Sequence, residues 1–147
     1  MHADIAATMG FDDLYGGNEA FRERFDEMLD AVKALPEGLH ERGRSLMYPQ
    51  LHNACVMGDV ELVTALLATG LDPDAYTYTD DDEDQPPLVW LARDVELDFE
   101  VKRQLAEALL AAGASVEEGE PEEEAKEVGD DDFASFLRSK ILSSGGG

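Results

Sequence analysis

Basic residues are scarce in this chain. Lys and Arg number 11 against 34 Asp and Glu, and with the three histidines neutral the formal net charge is −23. A surface of that sign repels nucleic acid and anionic membranes, so neither is expected as a direct partner, and it attracts basic proteins. Cysteine is scarcer still. The single Cys55 excludes an internal disulfide and fits a reducing, cytoplasmic compartment. No apolar run reaches the length of about 18 residues that a membrane-spanning helix needs. The N-terminal MHADIAATMG lacks the basic and apolar regions of a signal peptide. Patterns that carry chemistry are missing too: there is no His-x-x-x-His, Cys-x-x-Cys, Gly-x-Gly-x-x-Gly, Walker or Gly-x-Ser-x-Gly motif. Carboxylates are so frequent that their spacing carries no information. A binding protein is expected, not an enzyme, with no cofactor and no metal.

The hydrophobic content of 44% is enough for a core, and its pattern is clearest in Leu51–Gly70, LHNACVMGDVELVTALLATG. Leu51, Ala54 and Cys55 form the apolar stripe of one short helix, ended by Gly58-Asp59. Val60, Val63, Leu66 and Leu67 form that of a second, ended by Gly70. Asp59 is placed to cap the second helix. The hairpin is too small to bury its own apolar face and needs neighbours.

Leu51, His52, Ala54, Cys55, Gly58, Val63, Leu66, Leu67 and Gly70 stand at the spacing of the helical part of an ankyrin repeat, which this stretch resembles. Pro49-Gln50 replaces the family's Thr-Pro, so the proline comes one residue early. The resemblance implies an all-α, ankyrin-type helical solenoid with hairpin-like fingers between repeats. It implies that His52 hydrogen-bonds within the repeat and that Cys55 is a buried packing residue. A second repeat begins at Pro86-Pro87-Leu88-Val89-Trp90-Leu91-Ala92, with Val89 in place of the histidine, and ends at Leu109-Leu110-Ala111-Ala112-Gly113. Between its helices it carries six residues more than the first repeat. Its second helix, from Val101 to Ala112, turns Val101, Leu105, Ala108, Leu109 and Ala112 to one face.

The flanks divide the chain into residues 1–17, a loose start; 18–116, the repeat domain; 117–132, an acidic linker; and 133–147, a short helix and a flexible tail. Asn18 is placed to cap a helix reaching Leu35, with Phe21, Phe25, Met28, Leu29, Val32 and Leu35 on one face, and Pro36 and Gly38 end it. Gly38 precedes Gly70 by 32 residues, near the ankyrin period of about 33, so this segment reads as a degenerate repeat or capping helix pair. Residues 39–48 would then be a first finger, with Arg42 and Arg44 its locally basic spot. In 117–132, ten of sixteen residues are acidic and none is aromatic, which predicts a solvated tether. After it, Phe133, Phe136, Leu137 and Ile141 have helical spacing, with Asp131 or Asp132 as the cap. This helix either covers the last repeat or docks into a partner.

The second finger is the candidate site. Asp72-Pro73-Asp74 is turn chemistry, and Ala75–Thr79 alternates aromatic and hydroxyl residues as a short hairpin arm would. The finger is five residues longer than the first, and it holds five consecutive acids, Asp80, Asp81, Asp82, Glu83 and Asp84. The run lacks the glycine and glutamate of a calcium loop. Asp80–Asp84, Tyr76 and Tyr78 are therefore expected to contact a partner, along with Trp90, which the resemblance turns toward the concave groove. The expected function is to bind and neutralise a basic protein, as an immunity protein or an inhibitor of a toxin or nuclease does, with the chain a monomer by itself. Two alternatives fit the composition. One is an acidic DNA mimic that blocks a nucleic-acid-binding defence protein. The other is a general scaffold whose seven Arg, four Lys and many acids are an adaptation to high salt.

Overall fold

The structure is a computed structural model that describes residues 19–46, 49–77 and 84–145. Among the described residues it is all-α, with no strand, and no helix is long and apolar enough to cross a membrane. The elements are α1 (Glu19–Ala34), a 3-10 turn (Glu37–Leu39), α2 (His40–Arg44), α3 (Gln50–Val56), α4 (Val60–Ala68), α5 (Pro87–Arg93), α6 (Phe99–Ala111), α7 (Pro121–Glu127) and α8 (Asp131–Gly145).

From α3 onward the helices come in three antiparallel pairs. The first helices pack in one row, α3 on α5 on α7, and the second helices in another, α4 on α6 on α8. Local chemistry sets each helix end. Asp59 Oδ1 accepts the Leu62 N–H at 3.2 Å and caps α4 as the sequence predicts. Gly58 and Gly129, at φ +77° and +83°, close α3 and α7 in the left-handed conformation that costs glycine least. Prolines begin α5 and α7, where the missing N–H would have had no helical partner. Gln50 takes that place in α3, and its side-chain amide donates instead to the Gly43 carbonyl at 2.8 Å.

One continuous core runs between the two rows. Ala54, Cys55, Val63, Leu66, Leu88, Leu91, Leu105, Leu109, Ala125, Phe133 and Leu137 are all fully buried. Small residues on the inner row (Ala54 and Cys55, Ala92, Ala125) let the short helices approach closely. Leu67, expected in the core with Leu66, is half-buried instead.

The ends depart from the sequence reading. The segment 117–132 is not a solvated tether. It contains α7, which packs on α5 through the fully buried Ala125. Composition misled because the acids are divided by face. Ala125 points inward, while Glu123, Lys126 and Glu127 lie on the outer surface. Of the two uses open to the last helix, the structure shows folding back: Phe133 and Leu137 of α8 are buried against the preceding pair. Its cap is Asp130, whose Oδ1 accepts the Phe133 N–H at 3.1 Å, rather than Asp131 or Asp132. At the other end, His40–Arg44 is helix and not an extended finger. Gly38 lies inside the 3-10 turn without the positive φ of Gly70, so the alignment of the two does not hold. The buried stripe is Met28 and Ala31 on α1 and Leu35 just past its end, which leaves Leu29 44% exposed and off the expected face. Asn18, Phe11, Leu14 and Tyr15 lie outside the described residues, as does the side chain of Phe21.

Candidate partner-binding surface

The connection between α4 and α5 is the long finger, and its base is stapled by His52. From α3, His52 Nε2–H donates to the Gln85 carbonyl at 2.8 Å, and the ring lines a cavity with Ala75 of the other arm. One side chain thus stands between both arms of the finger, ten residues apart. Burial pushes the His52 pKa down to about 4, so at neutral pH the ring is an uncharged hydrogen-bonding strut. Trp90 stands edge-on against it, ring centres 4.9 Å apart. Trp90 is half-buried, one turn above the buried Pro87.

The described part of the finger is fixed to the next connection, between α6 and α7. Asp74 accepts the Ser115 N–H with both carboxylate oxygens, at 3.0 and 2.9 Å. Tyr76 donates its hydroxyl to the Glu118 carboxylate, and that bond is the main reason its pKa is pushed up to about 12. Ser115 Oγ in turn accepts the N–H groups of Glu117 and Glu118, both at 3.1 Å, which fixes the loop that presents Glu118. Thr77 is buried, and its hydroxyl reaches Asp84 at 3.4 Å across the finger.

Of the residues singled out by sequence, Tyr76, Asp84 and Trp90 are thus brought to one side of the molecule, each already engaged by a neighbour. Tyr78, Asp80, Asp81, Asp82 and Glu83 lie outside the described residues. Sequence reasoning missed Asp72, Asp74, Glu117, Glu118 and Glu120, which line the same side. Their signal was position: Ser115–Glu120 follows the helix-ending Gly113 as Asp72–Thr77 follows Gly70. A groove of about 420 Å³ runs along the finger base between α1 and Thr69–Asp72, lined by Arg24, Glu27, Asp30 and Asp72 among others.

Arg24 in this groove pairs with Glu27 at 2.9 Å, and other bases are held by acids away from it. Arg42, half of the basic spot expected there, bonds Asp59 and reaches Glu61 at 3.0 Å, which ties α2 to the start of α4; Arg44 is exposed. The Arg42 guanidinium pKa is raised, first by the hydrogen bond to Asp59. Arg93 pairs with Glu124 at 2.7 Å and Lys102 with Asp130 at 2.6 Å. Cys55 is fully buried, and burial pushes its thiol up to about 12, which leaves it an apolar packing group at neutral pH. Chemically, then, the finger side is a braced acidic ledge beside an acidic groove. No protein-family model matches the chain, and neither a curated protein nor a solved structure is significantly similar to it.

Proposed function

We propose that this chain is an ankyrin-type helical solenoid that binds and neutralises a basic protein on its finger side, in the manner of an immunity protein or a toxin or nuclease inhibitor. The observation that carries the reading is the bracing of the long finger. Three links fix it: His52 across its base, Asp74 to Ser115, and Tyr76 to Glu118. A surface fixed before binding loses little entropy on docking, and excess acid on it speeds encounter with a basic partner. The pairing of helices in two rows, the glycine closures and the small inner-row residues favour the ankyrin assignment. Under this proposal Asp80–Asp84, with Tyr76, Tyr78 and Trp90, make the contacts, and Asp72, Glu117 and Glu120 extend them.

The test is kinetic. A photo-reactive residue at position 72 captures the partner from native cells, and association is then measured by stopped flow. Neutralising Asp80–Asp84 together with Asp72 and Glu117 slows association about tenfold or more in low salt, and much less where screening shortens the reach of charge to about 3 Å at 1 M. Unchanged association in low salt rejects the finger as the steering surface. A partner that is displaced by duplex DNA would favour the DNA-mimic alternative.

A further inference from the structure

At the far end of the helices from the fingers, each pair reverses direction through a short turn: Met57–Asp59, Asp94–Asp98 and Val128–Asp130. Each turn leaves one sizeable apolar side chain in solvent. Met57 and Val95 are each 65% exposed and Val128 is 39% exposed. Phe99, at the start of α6, adds a partly exposed ring packed edge-on against Phe136. One exposed apolar residue on a surface needs no explanation. Here three successive turns carry one each.

The turns touch. A Cβ on Gly58 would stand 2.9 Å from Leu97 Cδ2 in the second turn. Lys102 Nζ joins the second turn to the third, donating to the Asp94 carbonyl and to Asp130 Oδ2, both at 2.6 Å. With neighbouring helices about 8–10 Å apart, three turns span about 20 Å. That is the length of a helix of about 13 residues at 1.5 Å per residue.

The rim of these turns is acidic: Glu96, Asp98, Glu127 and Asp131 are all exposed. The nearby bases are already held by acids. Arg42 is on Asp59, Lys102 on Asp130, Arg103 on Glu107 at 2.9 Å and Lys126 on Glu122 at 3.1 Å. We infer that this edge docks a basic amphipathic helix of a partner protein. The apolar face of that helix lies along Met57, Val95, Phe99 and Val128, and its Lys and Arg flanks meet Glu96, Asp98, Glu127 and Asp131. A second copy of this chain is disfavoured as the occupant, because it brings the same excess of acids against the same rim. The surface is separate from the finger side, and its occupation does not depend on the function proposed above.

The probe is a synthetic 15-residue Leu/Lys peptide with its leucines on one helical face, titrated into the isotope-labelled full chain and followed by amide chemical shifts. A scrambled peptide of the same composition controls for charge alone. Shifts are expected at residues 57–59, 95–99 and 127–131, with the patterned peptide binding at least tenfold more tightly than the scrambled one. The triple variant Met57→Gln, Val95→Gln, Val128→Gln brings the patterned peptide to the scrambled level. Should that variant fail to fold, Glu96→Gln with Glu127→Gln tests the rim instead, with at least threefold weaker binding expected in low salt. Shifts confined to the fingers, or equal binding of both peptides, overturn the inference. A dimer in light scattering that the triple variant abolishes also overturns it and assigns the edge to a second copy.

Discussion

Lys102 is 1% exposed, yet it carries an ammonium group into the contact between the second and third helix pairs. It has three neighbours: the Asp94 carbonyl, the Asp130 carboxylate, and the Phe133 ring with its centre 4.6 Å away. Asp130 does two things at once, capping α8 with Oδ1 and holding Lys102 with Oδ2. Asp130→Asn keeps an oxygen able to cap and removes the charge and the acceptor that face Lys102. Breaking a buried pair from one side costs about 3–5 kcal/mol, because the other charge stays buried without its counter-ion. The Asp130 side chain is 22% exposed, so water relieves part of the penalty, and a loss of about 2–3 kcal/mol is expected. Asp130→Ala loses the cap as well, about 1 kcal/mol more. Lys102→Met removes the buried charge itself, keeps the volume, and leaves Asp130 partly in water as a cap. Removing one partner costs only as far as the charge left behind is buried, and Asp130 is partly in water, so about 1 kcal/mol or less is expected. The double variant Lys102→Met, Asp130→Asn should recover most of what Asp130→Asn loses. Urea unfolding of the four proteins, followed by circular dichroism, measures the cycle. Equal losses for Lys102→Met and Asp130→Asn, or an Asp130→Asn loss below about 1 kcal/mol, would refute the clamp.

Three further outcomes are expected. His52 is held at about 4 against an ordinary 6.5, so the unfolded chain takes up its proton first. The stability from His52 is complete above pH 6.5 and falls away as pH drops toward 4, by up to about 1.4 kcal/mol per pH unit. His52→Gln, compared with the parent in urea between pH 7 and 4, should lack that slope. Gly129→Ala meets no atom within 4 Å but must hold φ +83°. It should cost about 1–2 kcal/mol from backbone strain alone, and no loss in thermal unfolding would mean the turn relaxes. Leu66→Ala opens a cavity at a fully buried site and should cost about 2–5 kcal/mol. Leu67→Ala, half-buried, should cost clearly less, and the reverse order would mean the helix is rotated.

The hairpin α3–α4 could be read directly from its residues, because everything that makes it is local. Leu51, Ala54 and Cys55 repeat with the helical period, Gly58 supplies the positive φ, and Asp59 caps the next helix. Two further signals stand in the sequence of the segment read as a tether. Gly129-Asp130 repeats Gly58-Asp59 at a distance of 71 residues, and Pro121 follows Pro87 by 34. The surrounding glutamates argued for a tether, but an average over a segment does not say which side of a helix each residue occupies. Lys102 belongs to the buried set Lys102, Leu105, Ala106 and Leu109, which has regular i, i+3, i+4, i+7 spacing. A lysine on an apolar stripe is a visible anomaly whose partner is not visible, since Asp130 is 28 residues away.

For α3 and α4 the sequence by itself determined where the helices begin, turn and stop, because period, capping oxygens and left-handed glycines act over three or four neighbouring residues. It also determined the sign of the surface, which needs only a count. The tertiary structure decided which charges remain for a partner. Arg42, Arg93 and Lys102 are each held by acids 17 to 31 residues away, and Tyr76 by one 42 residues away. The finger is braced by contacts of the same long range. Such pairs form only after the helix rows have packed, since closing loops of that length costs entropy that the charges by themselves do not offset.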